Sequence, residues 1–155
     1  MLSQLYAKEK RLDDAISAVR QAIELNPNSA IYYDRLSQYL ENQGQSEESI
    51  EALRQADRLS PNSGQYLFKL AFLGEQQGTE RAAVMDLLRQ AIKKEPNNPR
   101  YRFSLAGFLG KENRYEECLA ELREVVRLGA GTQWEQMARR MIEKTESERD
   151  SQPKE

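Results

Sequence analysis

The sequence predicts an all-α solenoid built from pairs of helices, and three observations support this fold class. The first is a repeat of about 34 residues, because Pro27, Pro61 and Pro96 are spaced by 34 and then 35 positions. The second is that other landmarks keep the same two steps: Leu36, Leu70 and Leu105, then Gly44, Gly78 and Asn113. The third is that apolar residues recur every three or four positions, as one helix face requires, without the alternation typical of strands.

Each period contains two helices joined by a short turn. The first helix runs to a glycine or an asparagine, which tolerates the left-handed backbone common at helix C-termini. The second helix ends before a proline, which cannot continue a helix and restricts the preceding residue to extended angles. The apolar stripes are, helix by helix, Ile31, Leu36, Tyr39, Leu40; Ile50, Leu53, Ala56, Leu59; Leu67, Leu70, Leu73; Val84, Leu88, Ala91, Ile92; Phe103, Leu105, Phe108, Leu109; and Cys118, Leu122, Val125, Val126.

A last helix follows a break in the repeat at Gly129–Thr132. Its apolar stripe consists of Trp134, Met137, Ala138, Met141 and Ile142, and charged residues occupy the opposite face. Because a terminal repeat needs a polar outer face to stay soluble, this helix is predicted to cap the array. The segment after it is almost entirely polar and is predicted to be disordered.

The repeated spacing resembles that of the tetratricopeptide repeat (TPR) family. The matching positions are Leu2, Ser3, Tyr6, Ala15, Val19, Ala22 and Pro27; then Tyr33, Leu36, Ser37, Gly44, Ser49, Leu53, Ala56 and Pro61; then Leu67, Leu70, Ala71, Gly78, Val84, Leu88, Ala91 and Pro96; then Leu105, Ala106, Tyr115, Cys118, Leu122 and Val125. The resemblance implies a right-handed superhelix. Its parts would be a truncated first repeat (1–28), three further repeats (29–62, 63–98 and 99–129), a C-terminal capping helix (130–146) and a disordered tail (147–155).

Composition argues against several classes of function. A net charge of −2 gives no general attraction for phosphate backbones, so nucleic acid is not an expected partner. No apolar run is long enough to span a membrane. The chain has no histidine and no glycine-rich phosphate loop, so we expect no enzymatic activity, metal or cofactor. The one cysteine, Cys118, is predicted to be a packed small residue because it occupies a close helix crossing.

The resemblance also implies a concave groove, lined by the first helices of successive repeats, that binds a protein or peptide. The predicted groove residues are Arg35, Gln38, Phe68, Lys69, Phe72, Arg100, Phe103, Gly107 and Lys111. Phe68 and Phe72 share one helix face, and Gly107 leaves its own helix bare. Aromatic walls and a glycine floor would form an apolar pocket ringed by basic side chains. The alternative is that these phenylalanines belong to the core.

Self-assembly is the second predicted function. Trp134, Met137 and Met141 would then form a terminal docking face, and the incomplete first repeat would invite a neighbour. That incomplete repeat also suggests a segment of a longer protein. A cytoplasmic or periplasmic location is expected only because such arrays are common there, and the sequence does not identify the partner.

Overall fold

The structure is a computed structural model, and it describes residues 11–151. Within this range the chain is helical and contains no strand, so the predicted all-α helical-repeat class is confirmed. The helices are α1 (Leu12–Leu25), α2 (Ala30–Asn42), α3 (Ser46–Leu59), α4 (Gln65–Gln76), α5 (Arg81–Lys94), α6 (Pro99–Lys111), α7 (Tyr115–Leu128) and α8 (Gln133–Asp150). The predicted first-repeat positions Leu2, Ser3 and Tyr6 lie outside the described residues.

The turns fall where the sequence places them. Gly44 and Gly78 follow α2 and α4 with φ values of 76° and 75°, in the left-handed region that glycine adopts without steric cost. Asn113 occupies the same position after α6 with a φ of 58°. Helices α1, α3 and α5 each end two residues before a proline. Glycine and proline therefore set the alternation of helix and turn.

Small residues allow neighbouring helices to approach closely. Between α2 and α3 the hydroxyl of Ser49 lies 3.1 Å from that of Ser37 and donates a hydrogen bond to the Ser37 carbonyl at 3.0 Å. Both serines are buried, and these bonds satisfy their polar groups. Other small residues at positions that match the repeat pattern are also buried, apart from the half-buried Ala22: Ala15, Ala56, Ala71, Ala91, Ala106 and Cys118.

The described chain divides into two compact units, one ending at Gly78 and the other beginning at Thr79. The first unit contains α1–α4, in which each helix packs against the next. One cluster of its core joins the first three helices through apolar side chains. The members of this cluster are Ala15, Ile16, Val19, Tyr39, Leu40 and Ala52.

The second unit contains α5–α8, and α7 lies at its centre. Helices α6 and α8 both pack against α7, and α5 packs against α6. The α7 side chains in this core have no exposed surface: Cys118, Leu119, Leu122 and Val125. None of the helices in the range 11–151 is long and apolar enough to cross a lipid bilayer.

Helix α8 continues to Asp150, beyond the predicted end at residue 146. Its polar end is held by contacts that composition does not reveal. The Arg149 guanidinium donates to the Glu116 carboxylate of α7 at 3.0 Å, and Lys144 lies 3.5 Å from Glu148 one turn later. Thr145 is buried in the same region and donates to the Met141 carbonyl at 2.7 Å. These contacts extend the helix into the segment assigned to the tail.

Candidate functional site

In the second unit, α6 and α8 border an open groove of about 800 Å³, here called the α6/α8 groove. Its position follows from the packing of both helices against α7, where Ala138 and Thr145 of α8 are buried. The residues lining it are Phe103, Gly107, Gly110, Lys111, Asn113, Tyr115, Met137, Arg140, Met141, Lys144, Thr145 and Glu148. The volume falls in the range usual for sites that bind small molecules or side chains.

The floor of the groove is apolar and includes a gap left by a glycine. A Cβ atom added to Gly107 would lie 4.0 Å from the terminal methyl of Met141, which is an ordinary contact distance, so the space at this point is that of about one methyl group. Met137, one turn before Met141, is 41 % exposed. Phe103 forms one wall, and its ring meets that of Trp134 edge-on at 5.7 Å between centroids. This contact orients Phe103 without burying it fully.

The edge of the groove is basic, and we refer to Lys111, Arg140 and Lys144 as the basic edge. Lys144 lies 3.5 Å from Glu148, which is the one carboxylate among the lining residues. The Lys111 ammonium lies 5.0 Å from the Phe108 ring centroid, a cation–π distance. Arg140 is exposed and has no acidic partner within residues 11–151. The groove therefore combines apolar surface with positive charge.

The α6/α8 groove joins residues that the sequence assigned to two separate sites. Phe103, Gly107 and Lys111 were predicted for the concave groove, and Met137 and Met141 for a terminal docking face. Trp134, the third predicted docking residue, supports the Phe103 wall. Sequence reasoning missed Arg140 and Lys144. Their spacing of three and seven residues from Met137 places them on the same helix face, and that spacing was the available signal.

The other predicted groove residues lie mostly in the first unit. Lys69 of α4 forms an ion pair with Asp34 of α2, and Gln38 donates to the same carboxylate at 3.2 Å. Lys69 is therefore already neutralised. Phe68 is buried and packs against the 39 %-exposed Phe72 at 4.8 Å between centroids.

Two other predicted groove residues, Arg35 and Arg100, are not part of the lining of the α6/α8 groove. Arg35 of α2 is half-buried. Arg100 belongs to the second unit, where it is exposed and lies outside the lining of the α6/α8 groove.

A second recess, of about 500 Å³, lies beside α1 and α3 in the first unit. Two of its charged side chains pair with each other, since Arg20 donates to Glu48 at 2.8 Å, and Asp13 accepts a hydrogen bond from Gln43 at 2.5 Å. Its lining is mainly polar and offers little apolar surface for a ligand. The α6/α8 groove is therefore the better candidate.

The described residues offer few groups with reactive chemistry. Among residues 11–151 no three His, Cys, Asp or Glu side chains are placed to hold a metal ion. The predicted packing role of Cys118 is confirmed, because its side chain has no exposed surface and lies 3.8 Å from the Thr145 hydroxyl. Burial raises the pKa of the Cys118 thiol, which keeps it protonated and poorly nucleophilic.

Comparison with known proteins agrees with this architecture. Residues 1–64 match the family model of the tetratricopeptide repeat. This match covers the first 64 of the 155 residues and lies within the first unit. No curated protein matches it in sequence. Repeats of this family are generally protein-interaction scaffolds.

Several solved structures share the fold at low sequence identity. YrrB, a TPR protein with an unusual peptide-binding site, is 17 % identical over 97 % of this chain and 75 % of YrrB, with a TM-score of 0.71. MamA is 15 % identical over 97 % of this chain and 91 % of MamA, with a TM-score of 0.68. A TPR protein from Parabacteroides merdae ATCC 43184 is 14 % identical over 96 % of this chain, which spans 59 % of that protein, with a TM-score of 0.80.

Proposed function

We propose that this TPR chain is a non-enzymatic interaction module that binds a peptide or protein segment in the α6/α8 groove. The observation that carries the proposal is the open apolar floor at Gly107, bordered by Phe103, Met137 and Met141. Apolar side chains held open to solvent in a concave site are typical of surfaces that take up a partner's side chain. The groove has room for one or two such side chains.

Two further observations support a peptide as the ligand. One similar structure, YrrB, is a TPR protein that has a peptide-binding site. In addition, the polar groups around the groove, including Tyr115 and Arg140, can meet the backbone and charged ends of a peptide.

A peptide library displayed on phage tests the proposal, because such a selection does not require the partner to be identified. Peptides selected on the wild-type chain are synthesised with a fluorescent label, and their Kd values are measured by anisotropy. We expect Kd values near 1 μM, about 8 kcal/mol of binding free energy, which is ordinary for such modules. A library that yields no peptide with a measurable Kd would contradict the proposal.

A matched pair of variants at Gly107 locates the site. Gly107→Gln should fill the floor and weaken binding by more than about tenfold, whereas Gly107→Ala adds a methyl group at an ordinary contact distance and should preserve binding. Both variants remove a helix glycine, so a difference between them reports the groove and not helix stability. Equal binding by both would place the site elsewhere.

Phe72→Ala tests whether the first unit contributes to binding. The predicted groove includes Phe72, and its ring is partly exposed. If the α6/α8 groove is the site, Phe72→Ala should leave the Kd within about twofold of the wild-type value. A loss of affinity as large as the one caused by Gly107→Gln would indicate that the binding surface includes α4.

Self-assembly remains the alternative, and one observation favours it. Leu25 and Ile31, on either side of the turn between α1 and α2, are 88 % and 62 % exposed. Exposed apolar residues this close in sequence can form a contact between copies. The exposed surface of α8, in contrast, carries ion pairs such as Arg139–Glu135 at 2.8 Å, which favour solvent.

A further inference from the structure

We propose that the α6/α8 groove selects acidic segments, in which one apolar side chain is flanked by aspartate or glutamate. This inference rests on the proposed function, since it assigns a ligand class to the same groove. The groove supplies two kinds of recognition that such a segment needs. Its floor takes the apolar side chain, and its basic edge meets the carboxylates.

The charge of the groove differs in sign from that of the whole protein. The chain carries a net charge of −2, yet three cations and one carboxylate line the groove. The carboxylate, Glu148, lies beside Lys144 and is therefore partly neutralised. A concave apolar surface strengthens such local charge, because the field is less screened than at a flat surface. A basic segment would meet like charges along the same edge.

Arg140 is the residue best placed to select the charge of the ligand. It is exposed at the groove, and no carboxylate within the described range pairs with it. An arginine can bind a carboxylate through two parallel hydrogen bonds, which makes it stronger and more directional than a lysine. Lys144 lies one turn further along α8, 3.5 Å from Glu148, and would exchange that partner for a second carboxylate of the same segment.

The apolar floor is built to accept side chains of different shape. Met137 and Met141 lie one turn apart on α8, and methionine adapts because its side chain is unbranched and flexible. Phe103, opposite them, adds a wall held by Trp134. We therefore expect the charge of the flanking residues to discriminate between ligands more strongly than the choice of Leu, Ile, Phe or Met as the apolar residue.

Three short labelled peptides test the charge selection. They share one leucine and differ only in the residues beside it, which are Glu, Gln or Lys. Anisotropy titrations should show the Glu peptide binding about tenfold or more tightly than the Gln peptide, and the Lys peptide weakest. The affinity of the Glu peptide should also fall as the salt concentration is raised from low to physiological. Equal affinities for all three peptides would overturn the inference.

Arg140→Glu and Arg123→Glu form the matched pair of variants for this test. Both arginines are exposed and the charge change is identical, but Arg123 lies on α7 outside the groove. Arg140→Glu should raise the Kd of the Glu peptide by about tenfold or more, while Arg123→Glu should change that Kd by less than about twofold. Equal effects would mean that only the net charge matters, which also overturns the inference.

The Gly107→Gln variant separates failure of this inference from failure of the proposed function. The first case is that Gly107→Gln abolishes binding of the Gln peptide, while the wild type binds the Gln and Glu peptides equally tightly. The groove is then the binding site but does not select the charge of the ligand. If the Glu peptide binds the variant as well as it binds the wild type, the groove is not the site. Competition by a single-stranded oligonucleotide would overturn the inference by indicating a phosphate-binding surface.

Discussion

Gly44 adopts a left-handed backbone at the end of α2, with a φ of 76°, and no atom beyond Gly44 and its two chain neighbours lies within 4 Å of the position a Cβ would take. The requirement for glycine here is therefore conformational and not steric. Asn113 shows which other residue the turn accepts, because it holds a φ of 58° at the equivalent position after α6. Asparagine is among the few non-glycine residues that tolerate this region.

Substitution of Gly44 should rank residues by their tolerance of this conformation. Gly44→Ala should lower the free energy of unfolding by about 1 kcal/mol, and Gly44→Asn by less. Urea unfolding followed by circular dichroism measures both. A loss for Gly44→Asn that equals or exceeds the loss for Gly44→Ala would contradict the backbone argument.

The protonation state of Tyr101 should make the free energy of unfolding depend on pH in the alkaline range. Its side chain is buried and its hydroxyl donates to Glu95 at 3.1 Å. Burial, followed by the negative charge of Glu95, raises the pKa of Tyr101 from 10.0 to about 12. Because the folded state holds the proton more tightly than the unfolded state, the stabilisation is fully present below pH 10 and is lost as the pH rises to about 12.

Tyr101→Phe should remove this part of the pH dependence. Near neutral pH the variant should be less stable by about 1 kcal/mol, through the lost hydrogen bond to Glu95. At about pH 11 the difference should shrink, because only the wild type must keep a buried phenol protonated. Urea unfolding of both proteins at the two pH values measures this, and a constant difference would contradict it.

At the scale of helices, the turn before α8 depends on a close approach. A Cβ atom at Gly129 would lie 2.8 Å from the Cβ of Trp134 and 2.9 Å from the Val125 carbonyl oxygen. Both distances are shorter than van der Waals contact, and the oxygen belongs to the backbone of α7. A side chain at Gly129 must therefore displace the start of α8. Gly131 in the same turn has a φ of 75° but open space around it.

Gly129→Ala should destabilise α8 more than Gly131→Ala does. The change at Gly131 should lower the free energy of unfolding by about 1 kcal/mol through its backbone conformation alone. At Gly129 the clash should cost more and should shift the fluorescence of Trp134, which is the single tryptophan of the chain. Denaturant unfolding and emission spectra measure the two effects. A Trp134 emission spectrum unchanged in Gly129→Ala would contradict the prediction.

At the scale of the whole molecule, oligomeric state separates a binding module from a self-assembling scaffold. We expect light scattering to give a constant mass near 17.9 kDa over about a hundredfold range of concentration. The charged pairs on α8 favour solvent over a contact between copies. A mass that rises with concentration would make self-assembly the leading function. The variants Leu25→Glu and Ile31→Lys would then show whether the exposed turn between α1 and α2 is the contact.

The candidate site was only partly predictable from the sequence. Phe103, Gly107 and Lys111 were found as groove residues because the repeat register placed them on a first helix. Arg140 and Lys144 were missed because the sequence analysis placed the charged residues of α8 on the face opposite its apolar stripe, whereas both line the groove with Met137 and Met141. Lys69 was predicted to offer its positive charge to a ligand. The sequence did not reveal that Asp34, 35 residues away along the chain, forms an ion pair with it.

The helices and the turns could be predicted from the amino-acid order. These features depend on interactions over a few residues, such as the backbone preferences of Gly44 and Pro61 and the spacing of each apolar stripe. Which helix faces meet became evident only in the folded chain. The packing of α6 and α8 against α7 placed Gly107 opposite Met141 and made one groove from two predicted sites. Helix periodicity is a local property, whereas the pairing of helix faces depends on contacts between residues far apart in the chain.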